Sequence, residues 1–325
     1  MDFIRSVLVQ DETPSGDGVY SYDLPVNPLS HIVLTLKALN LTANTKATLA
    51  QLLGALEKVE VLFKGQALIS VSGSDLYALN CALIGKEPWQ ENVINTENAV
   101  RHLSLMIPMG RSLYNPKECF PESKKGELKL QIQVDITDTG YDGVIFQIET
   151  VELIDASPAK FLKMTTLSLT PSATGDVDLD LPIGNSIAGI LLYGTTVPTG
   201  ISWTSTIDKI RLLANNKEKG FANCNWESLH GDFINRLGPA GAWGEKFHLE
   251  NTATAYTQNA DTATEEQDNS DIAHYALMDY GIGIPEEFLL ITDGLSRLHL
   301  RITAGDTNVL RAIAIELVES GKAAE

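Results

Sequence analysis

Asp176-Val177-Asp178-Leu179-Asp180 places three carboxylates at alternate positions, and clustered oxygen ligands of this kind are what a calcium ion takes. The EF-hand loop does not fit. Counting from Asp176, its sixth position is Leu181 where glycine makes the turn, and its twelfth is Ile187 where glutamate closes the shell. As a strand, the segment puts the three aspartates on one face and Val177, Leu179 and Leu181 on the other, the pattern of a half-exposed strand. Calcium held between subunits is the competing reading. Asp135, Asp138 and Asp142 around Gly140 read as a hairpin turn, where Asp and Gly satisfy the backbone. The histidines, His31, His102, His230, His248, His274 and His299, are scattered, with no two at ligand spacing. Cys81, Cys119 and Cys224 are odd in number and lack C-x-x-C spacing, so they read as buried thiols rather than disulfides or zinc ligands. There is no G-x-x-x-x-G-K-[ST], H-E-x-x-H or G-x-S-x-G; Gly85-Lys86 and Gly321-Lys322 lack the rest of a phosphate loop. No catalytic, cofactor-binding or metal-ligating residue is assigned, and the chain is expected not to be an enzyme.

The elements that would position any such site come from a chain of 325 residues with 24 Lys and Arg against 42 Asp and Glu, a net charge of −18. That acidity argues against a phosphate-gripping surface, and the densest basic spot is only Lys124-Lys125. Residues 1–160 carry −7 and residues 161–325 carry −11; the stretch 245–271 alone, with seven acidic residues against Lys246, accounts for −6. Hydrophobic residues make up 44%, enough for a folded core, yet no run of 18 apolar residues offers a membrane span. Met1 to Gln10 lacks a basic segment ahead of an apolar one, so synthesis in a reducing cytoplasm is expected.

Period-two alternation predicts strands over Ile32–Leu36, Val59–Phe63, Leu128–Val134, Val144–Val151, Phe161–Leu169, Val177–Leu181, Leu298–Ile302 and Ala312–Val318. Helical spacing is rarer: Thr48–Leu56, Ser74–Ile84 with Ser74 or Asp75 as N-cap, and a weaker Asn223–His230. Many short strands with few helices predict an all-β fold of sandwiches or barrels.

The two halves also resemble each other in order. Leu56–Leu62 aligns with Ile207–Leu213 (offset 151), His102–Met106 with His274–Met278 (172), Leu128–Ile132 with Leu298–Ile302 (170), and Ile148–Glu152 with Ile315–Glu319 (167). The jump after the first pair places an insertion in the second copy, within Gly231–Asp271, where no sustained periodicity is evident. Each copy is long enough for an eight-stranded jelly roll. The boundary falls near Ala156-Ser157-Pro158. This gives an N-terminal jelly roll over 1–157, with 1–22 as an extended arm, and a C-terminal one over 158–325 carrying the long loop at 231–271.

With these repeats, the extended entry Asp23-Leu24-Pro25-Val26-Asn27-Pro28 and the inserted loop, the chain resembles the double jelly-roll major capsid proteins of tailless icosahedral viruses. These include bacteriophages of the tectivirus, corticovirus and finnlakevirus types. The resemblance is architectural and spans about Tyr22 to Glu319. It implies a homotrimeric, pseudo-hexagonal capsomer, contacts with neighbouring capsomers and with penton or minor capsid proteins, and an internal viral membrane as a further partner. It also implies residence in the virion, with the inserted loop as an outward tower, and no sequence-specific nucleic-acid binding. The rival reading is a two-domain β-sandwich that binds or cleaves carbohydrate. It rests on Trp203, Trp226 and Trp243, the last within the loop Gly238–Gly244.

Overall fold

The computed structural model describes residues 2–40, 49–91, 100–136, 141–198, 202–241, 248–252, 255–259 and 271–321. The chain divides into two compact units. Unit 1 comprises Met1–Ile84, Pro88–Thr165 and Ile315–Glu325; unit 2 comprises Gly85–Glu87 and Thr166–Ala314.

The strands through the first half are β1 (Asp2–Glu12), β2 (Gly18–Asp23), β3 (Leu29–Asn40), β4 (Leu56–Phe63), β5 (Gln66–Val71), β6 (Gln90–Glu91), β7 (Val100–Pro108), β8 (Leu128–Val134) and β9 (Tyr141–Ile154). Those of the second half are β10 (Lys160–Leu169), β11 (Gly175–Asp180), β12 (Ser186–Gly194), β13 (Ile207–Ala214), β14 (Lys217–Glu218), β15 (Cys224–Asn225), β16 (His248–Thr252), β17 (Ala255–Asn259), β18 (Tyr275–Asp279), β19 (Leu290–Ile291), β20 (Leu298–Ala304) and β21 (Leu310–Glu319). Three α-helices accompany them among the described residues: α1 (Leu49–Gly54), α2 (Gly73–Ile84) and α3 (Trp226–Gly241).

The sheet orders repeat. Strands run β1-β9-β3-β7 in one sheet of the first half and β10-β21-β12-β18 in the second; the facing sheets run β2-β8-β4-β5 and β11-β20-β13-β14. Eight strands therefore recur in the same connectivity, and the fold is two consecutive jelly rolls.

The pairing register reproduces the sequence offsets. Val59 pairs with Ile132, and Ile210 with Ile302, which are those residues shifted by 151 and 170. Leu36 pairs with Leu103 in the core of the first roll and Leu192 with Ala276 in that of the second, shifted by 156 and 173, so the sequence offset of 172 is one residue out of step here. Tyr20 opposite Ile132 and Val177 opposite Ile302 give 157 and, again, 170. Even the turns match. Lys64 and Gly65 have φ of 51° and 82°, Asn215 and Asn216 have 48° and 62°, so both hairpins use the two left-handed positions that a tight I′-type turn demands. Asparagine tolerates that region better than most residues, and glycine enters it freely. The Lys64 amide donates to Glu127 O and the Asn215 amide to Arg297 O, once more 151 and 170 apart.

Alternation explains the cores. In unit 1 Leu34, Leu36, Val59, Val61, Leu103, Leu105, Leu130, Ile132, Phe146 and Ile148 are buried; in unit 2 Ile190, Leu192, Ile210, Leu212, Met278, Leu300 and Ile302 are. Burying such a side chain contributes roughly 1.5–3 kcal/mol.

Several expectations change. The turn at Asp135–Asp142 is not a hairpin: β8 pairs with β2 and β4, whereas β9 pairs with β1 and β3. Turn-forming residues reverse a chain but do not decide which strand receives it, and in a jelly roll this connection crosses between sheets. The N-cap of α2 is Ser72, whose Oγ accepts from the Asp75 amide at 3.1 Å, not Ser74 or Asp75. The third helix begins at Trp226 and runs to Gly241, past Gly231, because Trp226, Leu229, Phe233 and Leu237 form one buried stripe. It takes up the start of the segment 231–271, where no periodicity was expected. That segment also holds the β16–β17 hairpin, while its remaining residues and the side chains of 238–271 lie outside the described residues. In the N-terminal segment, Asp2–Val7 form an outer strand of the sheet, paired with Ile154–Glu149 of β9.

Candidate functional site

The alternating aspartates of β11 face the outer surface of their sheet, opposite the basic residues of β20. Asp176 stands across from Thr303, Asp178 from Arg301 and Asp180 from His299. Thr303 Oγ1 donates to Asp176 at 2.6 Å. The Arg301 guanidinium grips both Asp178 oxygens at 2.8 and 3.1 Å, and Arg297 Nε reaches Asp180 at 2.7 Å. Arg211 on β13, paired with Arg301, lies 3.8 Å from Asp176. The carboxylates are thus engaged by guanidinium groups rather than converging on a common point. The hydrogen bonds from Arg301 hold the Asp178 carboxyl below its ordinary range against the opposing effect of burial. Among the described residues no group of three or more His, Cys, Asp or Glu is placed to hold a metal ion.

His299 lies beneath this ladder, fully buried, its Nε2 3.6 Å from Asp178 and neither ring nitrogen hydrogen-bonded. Burial, reinforced by Arg297, pushes its pKa down. The other histidines stay apart. His31 bonds Ser30 Oγ through Nδ1 at 3.0 Å and packs on Tyr114, and burial lowers its pKa to about 4. His102 and His274, at matching repeat positions, sit beside Trp89 and Tyr193. His230 stacks on Trp226 and donates from Nδ1 to Tyr275 O. The side chain of His248 is outside the described residues. Cys81 and Cys119 are buried, with the Cys119 thiol pushed up to about 11 by burial, and Cys224 is partly buried.

A cavity of about 450 Å³ in unit 2 is lined by Phe221, Phe233, Arg236 and Asp279, among others. Its polar wall is already occupied with itself: Asp279 accepts the amides of Gly281, Ile282 and Gly283 at 2.8–2.9 Å and faces Arg236 at 3.0 Å. Among the described residues, Trp226 and Trp203 do not form a sugar platform. Trp226 is core, Trp203 stands alone at 90% exposure, and Trp243 is outside the described residues.

What the surface offers instead is unpaired apolar strand. Phe3, Ile4 and Val7 of β1 are 60%, 47% and 54% exposed, with Phe3 against Tyr114. β1 pairs with β9 on one side and with no described strand on the other. Its apolar residues were visible in the sequence between charges. The missing signal was which of its edges would be left open, because that depends on partners distant in the chain.

Two eight-stranded jelly rolls joined in one chain define the double jelly-roll fold of viral major capsid proteins. The particular likenesses are these. The major capsid protein of bacteriophage PM2 superposes with a TM-score of 0.63 at 9% identity, covering 98% of each chain. That of Sulfolobus turreted icosahedral virus gives 0.66 at 12% identity, covering 98% of this chain and 97% of that one. The capsid of PBCV-1 virus gives 0.57 at 11%, covering 97% and 94%. No protein-family model matches the chain, and no curated protein does.

Proposed function

We propose that the chain is a major capsid protein of a tailless icosahedral virus of the membrane-containing bacteriophage type, a structural subunit with no catalytic step. The observation that carries this reading is the duplication of one jelly roll, strand for strand and in register, in a fold that matches viral capsid proteins over nearly their whole length. Duplication has a geometric use: three chains present six similar β units, so a trimer tiles a near-sixfold lattice position while keeping threefold symmetry. Residues 1–157 and 158–325 serve as the two jelly rolls of this unit, with the 231–271 segment as an exterior tower. Its acidity keeps assembled particles apart. The partners are neighbouring capsomers, penton or minor capsid proteins and an underlying viral membrane. The protein is made in the host cytoplasm and resides in the virion.

Native mass spectrometry of the purified chain, followed by electron microscopy, tests this. A trimer that assembles into shells is the expected result; a strict monomer with carbohydrate-binding or hydrolytic activity would overturn it.

A further inference from the structure

Strand β10 is the second copy of β1, since each lies beside the strand that closes its roll, β21 and β9 respectively. Within unit 1, β10 is not left open. It pairs in parallel with β5, Met164 opposite Ile69 and Thr165 opposite Ser70. The offset of 157 that relates β2 to β11 maps Ile4 onto Phe161 and Val7 onto Met164. Phe161 and Met164 are 1% and 0% exposed, whereas Ile4 and Val7 are 47% and 54% exposed. The same two positions are therefore covered in one copy and bare in the other.

The strand that does the covering also has a bare counterpart. The offset of 151 carries Gln66–Ser70 of β5 onto Lys217–Phe221, of which Lys217–Glu218 is the strand β14 and Gly220 turns the chain away at φ 76°, and no described strand lies beyond β14 in its sheet. Each chain thus shows one joined β10–β5 edge and, unjoined, the two strands that would make the same joint again. Transferring the observed register places Arg5 opposite Glu218, since these correspond to Leu162 and Ala67, two residues back from the Met164–Ile69 pair. The charges are opposite, and Arg5, already paired with Glu149 of its own chain at 2.5 Å, keeps 49% of its side chain exposed.

We infer that β1 of one chain docks in parallel on the β14 edge, Lys217–Glu218, of a second copy of this chain, burying Ile4 and Val7 as Phe161 and Met164 are already buried. The contact is heterologous, joining two different strands, so it forms a ring when the rotation between copies closes. This rests on the capsid reading and names the strands through which the copies meet.

Two measurements test it. In a Cys224→Ser background, Ser6→Cys and Lys219→Cys stand opposite each other in the transferred register, and both native positions are exposed. Oxidation of a mixture of the two single variants is expected to give a covalent dimer on a non-reducing gel. Separately, Ile4→Asp with Val7→Asp is expected to reduce the native mass from about three chains to one with an unchanged circular dichroism spectrum. A trimer that resists the charged pair, or one that fails to cross-link, overturns this docking while leaving the capsid reading intact. A wild-type chain that never associates overturns the capsid reading itself.

Discussion

Asn80 sits in the middle of α2, where asparagine is a poor choice, and its side chain is 1% exposed. Its position is explained by the strand it meets. Asn80 Nδ2 donates to Met106 O at 2.7 Å, and its Oδ1 accepts the Met106 amide at 2.8 Å, so the carboxamide satisfies β7 as a neighbouring strand would. Nδ2 also donates to Leu76 O at 2.8 Å, one turn back in its own helix. Replacing Asn80 with alanine removes the partners of both Met106 backbone groups while the helix still covers them. Each orphaned buried group costs roughly 1–3 kcal/mol. The Leu76 carbonyl loses only a second bond, so Asn80→Ala is expected to cost about 2–6 kcal/mol in total. Asn80→Asp should cost at least as much, because one carboxylate oxygen then faces two carbonyls. Urea unfolding read by fluorescence checks this: the midpoint should fall with the slope unchanged. A loss below about 1 kcal/mol for the alanine variant would show that water or a repacked helix satisfies β7, and would refute the reasoning.

Three further outcomes follow from the same geometry. A Cβ built on Gly110 would lie 1.9 Å from Glu118 O, so Gly110→Ala should force the backbone apart and cost more than about 2 kcal/mol, seen as a lowered Tm. His31 titrates near 4 in the fold against an ordinary 6.5, so the unfolded chain takes up its proton first and stability drains as pH falls from 6.5 to 4, by about 3 kcal/mol in all. His31→Gln should flatten that part of the pH–stability curve, and an unchanged slope would count against it. Asp178→Asn breaks a partly exposed pair and should cost no more than about 1 kcal/mol, diminishing further in high salt, by the same denaturation assay.

Much of this architecture was legible because half-buried strands write their two faces into alternate residues. Leu128–Val134 was bounded from alternation alone, and its partner Val59–Phe63 was recovered with it. The aligned repeats went further: Leu56–Leu62 and Leu128–Ile132 hold the same ladder positions as Ile207–Leu213 and Leu298–Ile302, whereas His102–Met106 was matched one residue out of step with its counterpart in the fold. Other features depend on groups that sequence does not bring together. The two-residue strands β6 and β14 have no room for a pattern. The course of Asp135–Asp142 was misjudged because its turn residues describe a bend and not a destination. Helix α3 was cut short at His230, where no sustained periodicity was seen beyond, although Leu229, Phe233 and Leu237 keep the helical interval. The aspartates of β11 were assigned to one face, but their arginine partners sit 120 residues on, at Arg297 and Arg301, and only the fold reveals them.

A chain that contains one sheet twice meets a sorting problem while it is being made. The inner faces of β8 and β20 are nearly the same, Leu128, Leu130 and Ile132 against Leu298, Leu300 and Ile302, so hydrophobic contact alone cannot tell β20 which outer strand to accept. The outer face can. On β11, Arg301 finds Asp178 and Thr303 finds Asp176, while the corresponding places on β2 are Ser21 and Val19. The ion-pair ladder, worth little to the finished fold, is thus where the two copies differ most plainly, and it marks β11 rather than β2 as the partner of β20.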